Sequence, residues 1–209
     1  MEELCRAYWF PLYVYIRRRG YSKEDAEDLT QAFFAKLLEK NDFAGLNSER
    51  GRFRAFLLAS LKHFLANEWD KSQRQKRGGG NAHLSLDWQT ADAKFQVATT
   101  NEPGPDQAYD REWAVTLLAR VIDCLQKENE TARRGKQFAQ LKIFLTDSKD
   151  ESSYREAAKN LNLDETAVRV AVHRLRKRYR QLLRGEISQT LSNPADLDEE
   201  MQALFKAFG

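Results

Sequence analysis

An amphipathic pattern with a basic end occupies residues 50–77, which read RGRFRAFLLASLKHFLANEWDKSQRQKR. Its large apolar residues recur at spacings of three and four, and this period predicts a helix with one apolar stripe. The stripe consists of Phe53, Phe56, Leu57, Leu61, Phe64, Leu65 and Trp69. Because no acidic residue follows Asp70, the polar side becomes more positive toward the C-terminal end, where cations also suit the helix dipole.

This polar side has two interpretations. It is either the solvated face of an ordinary amphipathic helix or a surface for nucleic acid. The second interpretation depends on the mixture of groups, since cations hold phosphates while bifunctional side chains such as His63 and Asn67 contact bases.

Length and composition limit the class of protein. The 209 residues leave room for one large domain or two small ones. Helix-favouring residues are plentiful and alternating β-branched runs are absent, so we expect an all-α fold. Cys5 and Cys124 are too few and too far apart for a disulfide framework or a zinc site, which indicates a reducing cytoplasm. With no long apolar run and no basic leader, we expect a soluble protein without membrane insertion.

Charge is unevenly distributed along a chain whose net charge is only +3. Over residues 165–184 a single acid, Glu165, stands against Arg169, Arg174, Arg176, Lys177, Arg178, Arg180 and Arg184. The segment after it is acidic and carries Glu186, Asp196, Asp198, Glu199 and Glu200 against Lys206. A basic block of this kind predicts a polyanionic partner.

Two helices are predicted before residue 41. The first spans residues 4–19, with Pro11 as a kink or a restart and Gly20 as its stop. The second follows Ser22, an N-cap with Asp25 three residues on, and continues to about Glu39. Its apolar stripe is Ala26, Leu29, Phe33 and Leu37, and its opposite side carries Glu24, Asp25, Glu27, Asp28 and Gln31.

A linker is predicted between two helical halves. Residues 78–80 are three glycines that break any helix, and they lack the Lys and Ser or Thr of a phosphate-binding loop. Periodicity is absent up to Pro105, although apolar residues such as Phe95 are available for docking. A helix resumes over residues 109–127, and residues 138–145 continue a second helical domain.

The strongest local signal lies in residues 152–183. Ser153 with Glu156 predicts a capping box for a short helix. Asn162 lies where a tight turn needs a positive φ, and Asp164 caps a second helix. Contacts between the two helices come from Ala157, Ala158, Leu161, Leu163, Val168 and Val172, and the outward face carries Glu165, Thr166, Arg169, His173 and Lys177. This pattern predicts a helix-turn-helix that enters the major groove; the alternative is a helical hairpin with a solvated basic side.

Residues 188–209 extend beyond this pattern. Ser192 or Asn193 is predicted to cap a short helix that starts at Pro194 and has an acidic N-terminal end. Two roles are open for this helix. It either packs on the second domain, or its acids approach the basic helix of residues 169–184 and compete with DNA.

In this order, the motifs resemble the bacterial RNA polymerase sigma factors of the extracytoplasmic-function type, group IV of the sigma-70 family. The resemblance covers nearly all of residues 4–183. EDAEDLTQAFFAKLL, residues 24–38, is similar to the acidic segment that docks on the clamp coiled coil of the polymerase β′ subunit. GRFRAFLLASLKHFL, residues 51–65, is similar to the segment that melts and reads the minus-10 element. Residues 154–183 resemble the helix-turn-helix that reads the minus-35 element.

The resemblance implies two small helical domains joined by a flexible linker. Residues 1–77 would dock on the clamp and read minus-10 DNA, residues 78–108 would be the linker, residues 109–187 would read minus-35 DNA, and residues 188–209 would be a C-terminal extension. The implied partners are core RNA polymerase, through its β′ clamp and β flap, promoter DNA, and an anti-sigma factor or another regulator. The loop of residues 41–51 would hold the pocket for an extruded base.

The resemblance also implies the site residues. The polymerase contact would comprise Asp25, Glu27, Asp28, Leu29, Gln31 and Phe34. The minus-10 contact would comprise Arg52, Arg54, Lys62, His63, Asn67, Lys71 and Arg74. The minus-35 contact would comprise Glu165, Thr166, Arg169, His173, Arg174 and Lys177. His63 and Asn67 depart from the Asn and Asp that many members of the family carry there, and Asn162 replaces the turn glycine.

The predicted function is binding rather than catalysis, without a cofactor or a metal. His63, His83 and His173 are scattered and have no metal-spaced carboxylates beside them. The alternative within DNA binding is a helix-turn-helix activator or repressor with an N-terminal interaction domain. The acidic residues 24–31 discriminate between the two, because only a sigma factor must bind core polymerase without DNA.

Overall fold

The computed structural model describes residues 2–39, 52–74, 90–91, 95, 104–145 and 151–209. Every regular element in these ranges is helical, which confirms the all-α fold expected from the sequence. The helices are α1 (Glu2–Arg18), α2 (Lys23–Glu39), α3 (Phe53–Arg74), α4 (Pro105–Thr131), α5 (Gly135–Leu141), α6 (Glu151–Leu161), α7 (Glu165–Ser188) and α8 (Leu197–Lys206), with 3-10 turns at Lys142–Phe144 and Pro194–Asp196.

The chain folds into two compact units. The first comprises Met1–Thr116 and Thr190–Gly209, and the second comprises Leu117–Gln189. The boundary between Thr116 and Leu117 falls inside α4. The C-terminal segment, Thr190–Gly209, belongs to the same unit as α1, α2 and α3. The functional boundaries after residues 77, 108 and 187 stay a prediction.

Helix α1 contributes much of the core of the first unit. Tyr8, Leu12 and Tyr13 are nearly inaccessible to solvent. The helix continues through Pro11, where the sequence left a kink or a restart open. A proline inside a helix removes one backbone hydrogen bond, and burial of the aromatic residues offsets that loss. Gly20 has a φ of +92°, a conformation that residues with a side chain disfavour. The predicted end of the helix at this glycine is therefore confirmed.

Ser22 caps α2 as predicted. The backbone N–H of Asp25 donates to Oγ of Ser22 over 3.0 Å, and that hydroxyl donates to the carboxylate of Asp25 over 2.8 Å. Leu29, predicted to lie in the apolar stripe, is only half-buried because Thr30 takes the inward position. The Thr30 hydroxyl donates to the carbonyl of Ala26 over 2.7 Å, which satisfies its polar group inside the core. The buried residues of α2 are Ala26, Thr30, Phe33, Phe34 and Leu37.

Helix α3 has the amphipathic character predicted for residues 50–77. Its buried residues are Phe53, Leu57, Leu61, Phe64 and Leu65. Trp69 is 59 % exposed, so the apolar stripe ends one turn earlier than the sequence predicts. Phe95, from the predicted linker, docks with its ring 6.4 Å from that of Tyr13 and beneath the guanidinium of Arg17.

Helices α4 to α7 share the core of the second unit. It contains Leu125, Phe138, Leu141, Phe144, Ala157, Ala158, Val168, Val172 and Leu175. Residues 162–164 join α6 to α7. Asn162 has a φ of +52°, and the carboxylate of Asp164 accepts a hydrogen bond from the backbone N–H of Ala167 over 2.7 Å. The predicted turn residue and the predicted cap of α7 are therefore confirmed.

Some local predictions in the second half of the chain are wrong. Helix α4 begins at Pro105, inside the predicted linker, because proline suits the first position of a helix. Ser153 lies inside α6, which begins at Glu151, so it is not the cap. Leu163 is 40 % exposed rather than packed between helices, whereas Leu161 packs against the core as predicted.

The C-terminal segment belongs to the first unit and packs on the start of α3. The backbone N–H of Phe53 donates to the carbonyl of Thr190 over 3.1 Å, and Arg52 forms an isolated antiparallel bridge with Leu191. The two roles considered for this segment from the sequence stay predictions. The cap at Asn193 is confirmed, because its side chain accepts a hydrogen bond at the start of the following 3-10 turn.

Candidate nucleic-acid interface

Carboxylates cover two arginines at the start of α3. Nε of Arg54 lies 2.9 Å from Oε1 of Glu200, and its Nη1 bonds to the carboxylate of Asp110. Arg52 bonds to Glu199, and its Nε lies 3.6 Å from Glu200. Glu200 is only 1 % exposed, so it forms the buried centre of these charges. We call these five residues the Arg54 cluster.

An aromatic ring and a backbone contact complete the Arg54 cluster. The guanidinium of Arg54 lies 4.6 Å from the ring centroid of Trp113, and the hydroxyl of Tyr109 donates to the backbone carbonyl of Arg54 over 3.0 Å. Burial lowers the pKa of Arg54, but the hydrogen bond and charge of Glu200 and the charge of Asp110 outweigh it and raise that pKa overall. Burial raises the pKa of Asp110 despite the nearby guanidinium. Arg54 is therefore a permanent cation inside the fold.

The middle of α3 presents its predicted minus-10 residues to solvent. Lys62, His63 and Asn67 are all exposed. Nζ of Lys62 lies 2.8 Å from Asp106, and this hydrogen bond raises the pKa of the lysine. The side chains of Lys71 and Arg74, at the end of α3, and the loop of residues 41–51 lie outside the described part of the chain.

A groove of about 960 Å³ opens beside Lys62. Its lining includes the aromatic residues Tyr15, Tyr21 and Trp69 and the cations Arg19 and Lys62. Of these rings, Tyr15 is buried, Tyr21 is half-buried and Trp69 is exposed. An exposed ring beside cations provides a stacking surface for an unpaired base and contacts for phosphates. The predicted site lacked Tyr15, Arg19, Tyr21 and Trp69. For Tyr15, Arg19 and Tyr21 the signal was the interleaving of aromatic and basic residues before α2, and Trp69 was predicted to lie in the apolar stripe of α3.

Helix α2 presents the predicted acidic surface in part. Asp25 and Asp28 are exposed, and Glu27, Leu29 and Gln31 are half-buried. Phe34 is 1 % exposed and lies edge-on to Phe33 at 5.8 Å. The prediction that Phe34 contacts polymerase is therefore corrected to a core role, because its ring is not accessible.

Helix α7 turns a polar and basic side to solvent in the second unit. Thr166, Arg169, His173, Arg174 and Lys177 are exposed, and Glu165 is half-buried. The guanidinium of Arg169 lies 4.5 Å from the ring centroid of Tyr154 and 3.7 Å from Glu151, so α6 orients it. Glu165 pairs with Arg155 at 3.3 Å. The predicted minus-35 residues thus lie together on one accessible side of α7.

Other cations of α7 form contacts within the second unit. Nε of Arg178 lies 2.9 Å from the carboxylate of Glu128, and this hydrogen bond lowers the pKa of Glu128. Nε of Arg176 donates to the carbonyl of Phe144 over 2.9 Å. Some cations of residues 165–184 therefore stabilise the second unit, and others face solvent.

The acidic partners of the α3 cations were absent from the predicted site. Asp106, Asp110 and Glu200 contact α3 from α4 and α8. No local pattern pairs charges so distant in sequence, and the only signal was the acidic N-terminal end of the predicted tail helix.

The chain matches no protein-family model, no curated protein and no solved structure. Across the described residues, no group of three or more His, Cys, Asp or Glu side chains is placed to hold a metal ion. None of the helices in those ranges has both the length and the apolar character needed to cross a membrane. Functional assignment therefore depends on the surfaces of α2, α3 and α7.

Proposed function

We propose that the chain is a transcription initiation factor of the extracytoplasmic-function sigma type, which binds core RNA polymerase in the cytoplasm and directs it to promoters. The observation that carries this proposal is the pairing of α6 and α7 through residues 162–164, with a basic side of α7 facing solvent. A helix held by such a turn, with accessible residues near its start, suits the recognition role in a helix-turn-helix. We infer a minus-35 domain over residues 109–187 and a polymerase and minus-10 domain over residues 1–77.

The outward side of α7 offers groups for both base and phosphate contacts. Arg169, His173 and Lys177 are spaced by four residues, so they lie along one side of the helix. A guanidinium bonds well to two acceptors of guanine in the major groove, and a lysine ammonium suits a phosphate. Because Tyr154 restrains Arg169, the arginine loses less conformational freedom when it binds.

Polymerase docking is assigned to α2. Asp25 and Asp28 extend into solvent, and half-buried Leu29 lies beside them. Complementary charge speeds association with a basic clamp surface and fixes the register, while the apolar contact adds affinity. Contacts with the β flap, an anti-sigma factor or another regulator remain part of the proposal.

Strand opening is assigned to the exposed face of α3 and to the groove beside it. The factor needs no covalent chemistry for this step, so the proposal includes no catalytic residue and no cofactor. Lys62 and Arg19 suit backbone phosphates, and Trp69 offers a ring on which an unpaired base stacks. Stacking of this kind contributes about 1–3 kcal/mol per base, which offsets the cost of unstacking the duplex.

Run-off transcription with purified core polymerase and a promoter library tests this function. We expect discrete transcripts only when the chain is present. Arg169→Ala with Lys177→Ala serves as the matched variant, because it should lose promoter selectivity and keep core binding. Promoter binding without core binding would instead indicate an activator or a repressor with an N-terminal interaction domain. A chain that binds neither core polymerase nor promoter DNA would contradict the proposal.

A further inference from the structure

The Arg54 cluster places the carboxylates of the C-terminal segment on cations that the proposed function assigns to minus-10 DNA. Glu199 bonds to Arg52, and Glu200 bonds to Arg54. A carboxylate and a phosphate bind a guanidinium through the same planar, charge-assisted hydrogen bonds. The C-terminal segment and a DNA backbone therefore compete for these two arginines.

Helix α8 is only partly buried. Across α8, which the structure describes in full, only Glu200 and Leu204 are buried. Phe205 is 62 % exposed and Phe208, beyond the helix, is 48 % exposed. The side chain of Glu199 is 68 % exposed, and an ion pair so open to water is weak and is screened by salt. The Glu199 pair is therefore the part of this attachment that a competing anion opens first, ahead of the buried Glu200 pair.

We propose that residues 190–209 form an intramolecular latch over the start of α3. In the closed state, shown by the structure, Glu199 and Glu200 neutralise Arg52 and Arg54. In the open state, the phosphates of a single-stranded DNA segment replace the carboxylates of Glu199 and Glu200, and the carboxylate of Glu200 returns to water. Asp110 of α4 keeps its bond to Arg54. The latch rests on the proposed function for the identity of the competing strand.

The backbone bridge provides a way to lock the latch. Arg52 and Leu191 are a non-hydrogen-bonded antiparallel pair, since the bond runs between their neighbours Phe53 and Thr190. Such pairs have Cα atoms about 4.5 Å apart, within the range that a disulfide spans. Arg52→Cys with Leu191→Cys, in a chain whose two native cysteines are changed to Ser, is therefore expected to close the latch on oxidation and free it on reduction. Because both forms lack Arg52, comparison of the two isolates the effect of the lock.

Binding of both forms to a fluorescent 20-nucleotide oligo-dT is measured by anisotropy, and both are tested in run-off transcription. We expect the reduced form to bind the oligonucleotide about tenfold more tightly, the size of one regained charge-assisted contact. Glu199→Gln in the otherwise native chain should also raise this affinity. Asp196→Asn is the matched control, because it removes one negative charge from the same segment outside the Arg54 cluster, and its affinity should match that of the native chain.

The outcomes separate the latch from the proposed function. Equal oligonucleotide binding by the oxidised and reduced forms overturns the latch, and transcription by both forms would then leave the proposed function intact. A difference between the two forms in a chain that supports no transcription supports the latch and overturns the sigma assignment. Failure of both forms to bind the oligonucleotide overturns the latch as a competitor of DNA.

Discussion

Arg54 of α3 and Glu200 of α8 form a buried ion pair with an Nε to Oε1 distance of 2.9 Å, although 146 positions separate them in the sequence. The side chain of Glu200 is 1 % exposed and that of Arg54 is 12 % exposed. Removing two charges from water is unfavourable, and mutual attraction offsets that cost only while both partners are present. The pair therefore makes the C-terminal segment a part of the first unit's fold.

Removal of one partner of this pair should lower the free energy of unfolding much more than replacement of both partners. We expect Arg54→Ala to lower the free energy of unfolding by about 3–5 kcal/mol, because a buried carboxylate loses its main partner. Arg54→Met with Glu200→Met should cost less than Arg54→Ala alone. Urea unfolding followed by tryptophan fluorescence measures these losses, since the tryptophans that the structure describes, Trp9, Trp69 and Trp113, belong to the first unit.

Lys62→Ala is the control for that experiment. Lys62 also lies on α3 and pairs with an acid, Asp106, but both side chains are exposed. Its loss should cost about 0–1 kcal/mol. Equal costs for Arg54→Ala and Lys62→Ala would contradict the burial argument.

Tyr8 predicts a loss of stability in alkaline solution. Burial raises the pKa of Tyr8 from 10.0 to about 12. The folded chain therefore keeps the phenolic proton more tightly than the unfolded chain does. This contribution is complete below pH 10 and is lost as the pH rises toward 12. Across that window, the free energy of unfolding of the native chain should fall by about 2–3 kcal/mol more than that of Tyr8→Phe. Urea unfolding at each pH measures both. Identical pH profiles for the two proteins would exclude this role.

The cap of α7 predicts a local stability effect in the second unit. Asp164→Ala should lower the free energy of unfolding by about 1 kcal/mol, because the backbone N–H of Ala167 loses its acceptor. Far-UV circular dichroism during urea unfolding measures it. Asp196→Ala is the matched control at the start of α8, where the side chain makes no capping hydrogen bond. A loss at Asp196 as large as that at Asp164 would refute the capping explanation.

Some features of the fold could be predicted from the sequence because they depend on a few neighbouring residues. The cap at Ser22, the positive φ at Asn162 and the cap at Asp164 are decided within one helical turn. The period of α3 likewise predicts its buried side, up to Trp69, whose exposure depends on where the neighbouring helices end.

Other features depend on distant parts of the chain, and the sequence did not predict them. Thr30 replaces Leu29 inside α2 because its hydroxyl finds a backbone carbonyl, which apolar periodicity ignores. The acids of α8 were assigned to the basic helix α7, the larger block of charge, yet Glu200 pairs with Arg54. Charge patterns show which sign of partner is needed but not which partner the fold supplies.

The outward side of α7 predicts DNA-binding defects. Arg169→Ala and Lys177→Ala should each weaken binding to minus-35 DNA by about 1–3 kcal/mol where they read bases, and should reduce the salt dependence where they hold phosphates. Arg178→Ala is the matched control on the same helix, because Arg178 is bound to Glu128 of α4. Titration of promoter DNA at several salt concentrations measures all three, and equal behaviour of the three variants would place the interface elsewhere.

The acidic surface of α2 predicts a polymerase-binding defect without unfolding. Asp28 is exposed and lies away from the buried side, so Asp28→Arg should leave the unfolding transition almost unchanged and weaken core binding, whereas half-buried Glu27 is kept. Glu39→Arg is the control, because it reverses an exposed charge of the same helix eleven positions from Asp28. Unchanged core affinity in a folded Asp28→Arg variant would refute the docking assignment.

Equilibrium binding of the full chain to core RNA polymerase without DNA tests the proposed function most directly. The sigma assignment predicts saturable binding of one chain per core enzyme, with Asp28→Arg weakening the complex and Glu39→Arg leaving it intact. No saturable binding to core polymerase, in a chain that is folded and still binds promoter DNA, would contradict the assignment.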